Sequence, residues 1–263
     1  MRLIDVHCHI FPEHVAGKVV TSLQEYYGFT WEGNGLYEDI LRNCELAGVG
    51  RCVVFSSATK PEQVESINNY IKSVVDRNPG LFMGLGTMHP DYAGFEQELH
   101  RIRSMGLPGV KIHPDFQQTD IDDPRMMKIY RCAAELGLVF LFHVGDQQSD
   151  FSAPRRLARV LDEVPGLRVI AAHLGGYSQW EEAKKYLIGR DLYMDISSSV
   201  SFLGRERSRE LIFAHGTDKI LFASDYPAVT QKSALRDFLE LGLSAEDMEK
   251  IAHLNAERLF PGI

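Results

Sequence analysis

The chain has 263 residues, of which 44% are hydrophobic and 24% charged, and its formal net charge is -8. That composition belongs to a globular protein, and the acidic balance argues against nucleic acid, whose phosphates need a basic partner surface. No apolar run nears the ~20 residues that cross a bilayer, so no membrane span is expected.

The first predicted element is a strand from Leu3 to His7, carried on through Asp5-Val6-His7-Cys8-His9. Because the chain opens on this strand, no secretory leader is expected and a cytoplasmic location is the default. A period of two sends Leu3, Asp5, His7 and His9 to one face and Ile4, Val6 and Cys8 to the other. Two neutral imidazoles at that spacing can hold one divalent metal from a rigid backbone. Asp5, on the same face one step below, would then orient a histidine or satisfy nearby backbone groups. The stretch from Phe11 to Leu36 is long for a connection and carries Tyr26, Tyr27, Phe29 and Trp31. It predicts a helix and a lid, although the same aromatics would serve as packing.

Further strands are predicted at Arg51–Phe55, Phe82–Thr87, Gly109–His113, Val139–His143, Arg168–His173, Leu192–Asp195 and Lys219–Ala223. Helical patterns lie between them. Pro61 opens one through Val64, Ile67, Ile71 and Val74, and Asn78-Pro79-Gly80 stops it. Asp123-Pro124 opens another that Gly137 closes, and Ser152 with Pro154 opens a third that ends at Pro165-Gly166. Ser244, with Asp247 three residues on, caps the last. Cys8, Cys44, Cys52 and Cys132 form no CxxC pair and read as small apolar packing, with no disulfide framework.

Strand and helix alternating eight times predict parallel strands and a (β/α)8 TIM barrel, one domain over residues 1–263, since such barrels need about 250 residues. An open doubly wound sheet would carry a Gly-rich turn after its first strand, where this chain has histidines. The ends of the predicted strands hold His7 and His9, Lys111 and His113, His143, His173 and Asp195, with Asp225 just beyond the eighth. In a parallel barrel those ends share one rim, where such barrels do their chemistry. Any one of these histidines could be a core residue; together they predict a coordination site.

The ordered motifs Asp5-Val6-His7-Cys8-His9-Ile10-Phe11-Pro12, Gly109-Val110-Lys111-Ile112-His113-Pro114, Phe142-His143-Val144-Gly145, Ala172-His173-Leu174-Gly175-Gly176 and Ala223-Ser224-Asp225-Tyr226-Pro227 resemble the amidohydrolase superfamily. The branch they look most like is amidohydrolase-2, with the aminocarboxymuconate-semialdehyde decarboxylase type among its members. The resemblance covers the whole chain. It implies that His7, His9, His143 and Asp225 bind one divalent metal, most often zinc, with manganese, iron and cobalt as alternatives. It makes His173 the catalytic acid/base and gives Asp225 a second role, accepting a hydrogen bond from the attacking water. Lys111 is carboxylated in some superfamily branches. Here the branch pattern implies a free amine that contacts an anionic substrate or pairs with Asp225 or Asp195. His113 is expected at the substrate. His89 is assigned to loop structure, and Gly175-Gly176 to a tight turn or an oxyanion contact. A homodimer is a weak implication of the same family.

The implied reaction is hydrolysis of a small carboxylated ester, lactone or amide by a metal-activated water. The rival is non-oxidative decarboxylation of an aromatic or unsaturated acid on the same site. Decarboxylating relatives grip their substrate with arginines, and the rim loops here are poor in arginine, which tips the sequence reading toward hydrolase. A TatD-like nuclease is disfavoured because it expects a strand-four glutamate where this chain has Lys111. A metal-binding barrel without catalysis is disfavoured because the ligand set and His173 are all present.

Overall fold

The computed structural model describes residues 1–263. Nine short strands occupy eight positions: β1 (Ile4–His9), β2 (Arg51–Phe55), β3 (Phe82–Gly84), β4 (Gly86–Thr87), β5 (Gly109–Ile112), β6 (Val139–Phe142), β7 (Arg168–Ala171), β8 (Tyr193–Asp195) and β9 (Ile220–Leu221). Neighbouring strands pair in parallel. The third predicted strand is interrupted at Leu85, whose N–H still donates to Val54 O at 3.0 Å, so β3 and β4 form one stave. Glycines flank the break because helices press on it: a Cβ at Gly84 would stand 2.5 Å from Ile71 Cγ2, and one at Gly86 2.8 Å from Ile102 Cδ1. The ring closes between its ends, with Val6 N–H on Phe222 O at 3.1 Å and Asp225 N–H on His7 O at 3.0 Å. The predicted TIM barrel is what the chain forms.

Alternation along each strand sorts the core into two layers. Val139 and Leu141 of β6 face the barrel interior with Ile4, Val53, Ile170 and Leu221. Phe140 and Phe142 face outward into the layer beneath the helices. Leu259, Phe260 and Ile263 join the interior group and plug the end where the strands begin. Each buried leucine or phenylalanine contributes about 1.5–3 kcal/mol.

The predicted helix starts hold with small shifts. Asp123 caps Pro124–Glu135 by accepting from Arg125 N–H, and Ser244 caps Ala245–Glu249 by accepting from Asp247 N–H. A 3-10 turn at Pro61–Gln63 leads into Val64–Arg77, and Ala153 rather than Ser152 precedes Pro154–Glu163. The predicted lid is a helix, Glu13–Tyr27, with an extended tail through Trp31. No helix is long and apolar enough to cross a membrane.

Candidate active site

A bulge in β1 builds the first half of the site. Between Asp5 and Cys8 the strand advances three residues while β2 advances two. The extra residue breaks the period of two. Ile4 and Val6 lie in the barrel interior, and the next residue, His7, points there as well, against Lys111 and Asp195. Asp5 is thrown to the outer side, which corrects the expected inward placement. Its buried carboxylate accepts from Ser224 Oγ at 2.6 Å, Ser224 N–H at 2.9 Å, Gln231 Nε2 at 3.2 Å and His7 N–H at 3.1 Å. Asp5 therefore seals the β9–β1 closure and touches no imidazole nitrogen.

The rim gathers three of the four implied ligands. His7 Nε2 stands 3.2 Å from His9 Nε2 and 3.3 Å from Asp225 Oδ1, with His9 Nε2 at 3.8 Å from the same oxygen. Donors bonded to one ion at ~2.1 Å stand roughly 3.0–3.4 Å apart, so this trio fits a divalent metal. His7 Nδ1 lies 3.0 Å from Asp195 Oδ2, which as a carboxylate can only accept. The proton is thus on Nδ1, and the Nε2 lone pair faces His9 and Asp225. His143 lies beside the trio rather than within it: its Nδ1 is 3.1 Å from His173 Nε2, and its other edge faces Asp115 and Asp146.

His173 is held from three sides. Its N–H donates to Asp195 Oδ1 at 3.0 Å, and Nδ1 lies 3.0 Å from Ser197 O. That carbonyl only accepts, so Nδ1 carries the proton and Nε2 is left as the acceptor. Ser197 Oγ also reaches His173 Nδ1 at 2.9 Å and donates to Asp195 Oδ1. Non-glycine residues in the left-handed region concentrate here: His173 at φ 60°, Leu174 at 51°, Ser198 at 55° and Asp225 at 70°. Such backbone persists only where its surroundings over-determine it. Ser198 Oγ donates to Asp225 Oδ2 at 2.6 Å and helps hold the last of these.

Lys111 departs from the expected substrate contact. It is fully buried beneath the histidines, with Nζ 3.4 Å from His7 Nε2 and 5.2 Å from the centre of the Phe55 ring. It does not line the cleft. Burial pushes its amine down to about 8, against the opposing pull of Asp195 and Asp225. Burial raises the Asp225 carboxyl above the usual carboxylate range. It also holds His7, His9, His113 and His173 well below 6.5, so these rings are neutral at pH 7.

Above the cluster lies a narrow cleft. His9, His143, His173 and Asp225 form its floor, with His113 and Phe116 on one wall and Tyr177 on another. Tyr27, Phe29 and Trp31 cover it, so the first connection is the lid its aromatics suggested. Tyr27 Oη lies 3.0 Å from His113 Nε2, and His113 stacks on Phe116 at 3.8 Å and on His143 at 4.0 Å. No lysine or arginine lines the cleft. His113, expected at the substrate, lines the cleft. His89 Nδ1 accepts from Asp91 N–H at 3.2 Å, a loop contact. Gly176 serves close packing, since a Cβ at Gly145 would meet its Cα at 2.6 Å. Sequence reasoning did not assign Asp146 or Asp115 a role, nor Ser197 its hold on His173. Asp146 and Ser197 sit in loops and Asp115 in a one-turn helix, Pro114–Gln117, where spacing carries no face information.

A closed parallel barrel with histidines and carboxylates on its carboxyl rim defines a class: barrel enzymes that work at that rim. The chain belongs to the amidohydrolase family, whose model matches residues 4–262. A curated relative, 2-amino-3-carboxymuconate-6-semialdehyde decarboxylase of Dictyostelium discoideum, is 29% identical over 150 residues. That match covers 47% of this chain and 42% of the relative's length. Among solved structures, an uncharacterised TIM-barrel protein from Bordetella bronchiseptica shares the fold with TM-score 0.80, 20% identity and 99% of each chain covered. A dihydroxybenzoic acid decarboxylase from Polaromonas, bearing manganese and the inhibitor 2-nitroresorcinol, gives TM-score 0.76 at 18% identity, covering 99% of this chain and 97% of its own. The 5-carboxyvanillate decarboxylase of Sphingomonas paucimobilis gives 0.73 at 17% identity, with 99% of each chain covered.

Proposed function

We propose that this chain is a metal-dependent, non-oxidative decarboxylase of a small aromatic or unsaturated carboxylic acid. This reverses the preference for hydrolysis drawn from the scarcity of arginine. The observation that carries it is the cleft: a slot walled by Tyr27, Trp31, Phe116 and Tyr177 directly above His9, His173 and Asp225. Aromatic walls favour a flat ring or conjugated chain by offset and edge contacts, each worth about 0.5–1.5 kcal/mol beyond area burial. The decarboxylases among the relatives support the same reading.

His7, His9 and Asp225, with His143 through Nδ1, are the residues that would hold one divalent cation. The nitrogen-rich donor set suits zinc, and manganese is the ion in the Polaromonas relative. Bound there, the cation supplies a Lewis acid that orients and neutralises the anionic group of the substrate. The chain's own groups then handle the proton. In R–COO⁻ + H⁺ → R–H + CO2, the carbon–carbon bond breaks, its electron pair stays on the substrate carbon, and that carbon takes a proton. Asp225, as a ligand of the cation, would be held as a carboxylate and so would not be the proton source. His173 at the cleft floor, with Nδ1–H locked on Ser197 O, presents Nε2 to take a proton from solvent and pass it to that carbon. Tyr27, Phe29 and Trp31 keep water from the carbon being protonated.

Hydrolysis of a lactone or ester is the second reading, favoured by the absence of any lysine or arginine lining the cleft. Incubating metal-loaded protein with aryl carboxylates and with lactones separates the two. Release of CO2 with one proton taken up per turnover is the expected result. Ring-opening of lactones without CO2 from any acid would overturn the proposal in favour of hydrolysis.

A further inference from the structure

Asp115, His143 and Asp146 form a second knot beside the ligand trio. One donor atom from each lies within 4.8 Å of the other two. His143 Nε2, Asp115 Oδ2 and Asp146 Oδ2 are all buried and all lack a hydrogen-bond partner. The remaining carboxylate oxygens are satisfied: Asp115 Oδ1 by Ser149 Oγ at 2.5 Å, and Asp146 Oδ1 by Gln148 N–H at 2.8 Å and Tyr26 Oη at 2.9 Å. The free oxygen of Asp146 faces His143 Nε2 at 3.5 Å, and that of Asp115 lies close by, 3.7 Å from His113 Nδ1.

Two buried carboxylate oxygens can only accept, so the atom that faces them must bring a proton or a positive charge. A proton on His143 Nε2 does so at the lowest cost. It also decides the other side of the ring, because a neutral imidazole protonated on Nε2 carries its lone pair on Nδ1. That nitrogen lies 3.1 Å from His173 Nε2, on the edge of the ring opposite Nε2. Histidines that bind metals commonly donate their second N–H to a carboxylate, which fixes ring, tautomer and basicity.

We infer that Asp146, with Asp115 beside it, is a positioning residue that holds His143 by Nε2–H and so presents Nδ1 to the metal. This rests on the reading of His143 as a ligand. Tyr26 ties the arrangement to the helix over the cleft, because its hydroxyl donates to Asp146 and its ring meets Phe116 edge-on at 5.1 Å. The lid helix thus braces the outer end of a Tyr26–Asp146–His143 chain whose inner end is a ligand nitrogen.

The test uses the full chain and its Asp146→Asn, Tyr26→Phe and His143→Ala variants. Metal affinity is measured by competition with a chromophoric chelator, metal content by elemental analysis, and ligand geometry by the visible spectrum of the cobalt-substituted protein. Thermal melts of the metal-free variants check that each folds. Wild type is expected to bind one ion per chain. Asp146→Asn should weaken binding about 10-fold or more and shift the cobalt bands, and Tyr26→Phe should move both in the same direction by less. An unchanged affinity and spectrum in Asp146→Asn, while His143→Ala loses the metal, overturns the inference and leaves the ligand reading standing. Full metal retained by His143→Ala overturns both. Two ions per chain, one of them lost in Asp146→Asn, would make the carboxylates a cation site and also overturn the inference.

Discussion

The two ends of the barrel use the same alternation for opposite purposes. Where the strands begin, inward positions are Ile4, Val139 and Leu221, packed on Leu259 and Phe260 from the C-terminal segment. Where they end, inward positions are His7, Lys111 and Asp195, all fully buried, with His143 and Asp225 at the cleft floor. The lower end is a dry apolar plug. At the upper end, lone pairs face one another at 3.2 Å and four residues near them hold left-handed backbone. Stability is concentrated below and is spent above, which is the expected division when a rigid scaffold must hold a reactive site.

Mutations should separate the ends cleanly. The largest effect is expected at the top: His7→Ala or Asp225→Ala should abolish metal retention and lower turnover by 10³-fold or more, equivalent to about 4 kcal/mol. Elemental analysis and steady-state assays check this, and a variant keeping full metal would break the ligand assignment. At the bottom, Phe260→Ala should cost about 3–5 kcal/mol of unfolding free energy, seen in urea melts, with metal affinity unchanged. His173→Ala should keep the metal and lose most activity; loss of the metal instead would make His173 a ligand.

The pH dependence sharpens the same contrast. Burial holds His7, His9, His113 and His173 well below 6.5, so the folded metal-free protein carries fewer protons on them than the unfolded chain does below that pH. Their contribution is full above about 6.5 and is lost as pH falls, by up to about 1.4 kcal/mol per pH unit for each proton. Metal-free protein should therefore melt at progressively lower temperature from pH 7 to pH 5, and Phe260→Ala should leave that slope unaltered. The smallest effect is expected at the lid. Tyr27→Phe, which removes the hydroxyl on His113, should cost about 1 kcal/mol, read as a few-fold rise in KM. An unchanged KM would remove the lid tyrosine from substrate binding.

What was legible in the sequence follows from these physics. Strands alternate and helices repeat, so the ring, its eight positions and the histidines at its rim could be read directly. The bulge in β1 has no composition signal, and one extra residue moved Asp5 to the opposite side from His7. Lys111 was correctly placed inward, but depth is not written in spacing, and it proved to be fully buried beneath the histidines. Asp146 follows Gly145, whose φ is +81°, so its direction depends on a turn that periodicity cannot describe. The preference between hydrolysis and decarboxylation had rested on a shortage of arginine. The aromatic slot, assembled from the first connection and the fourth and sixth strand ends, was visible only in three dimensions.

Anomalous diffraction from a crystal grown with manganese or zinc tests the central claim most directly. One peak per chain is expected, about 2.0–2.2 Å from His7 Nε2, His9 Nε2 and an Asp225 oxygen, with His143 Nδ1 turned to meet it. A peak elsewhere, or two peaks bridged by a carboxylated Lys111, would contradict it.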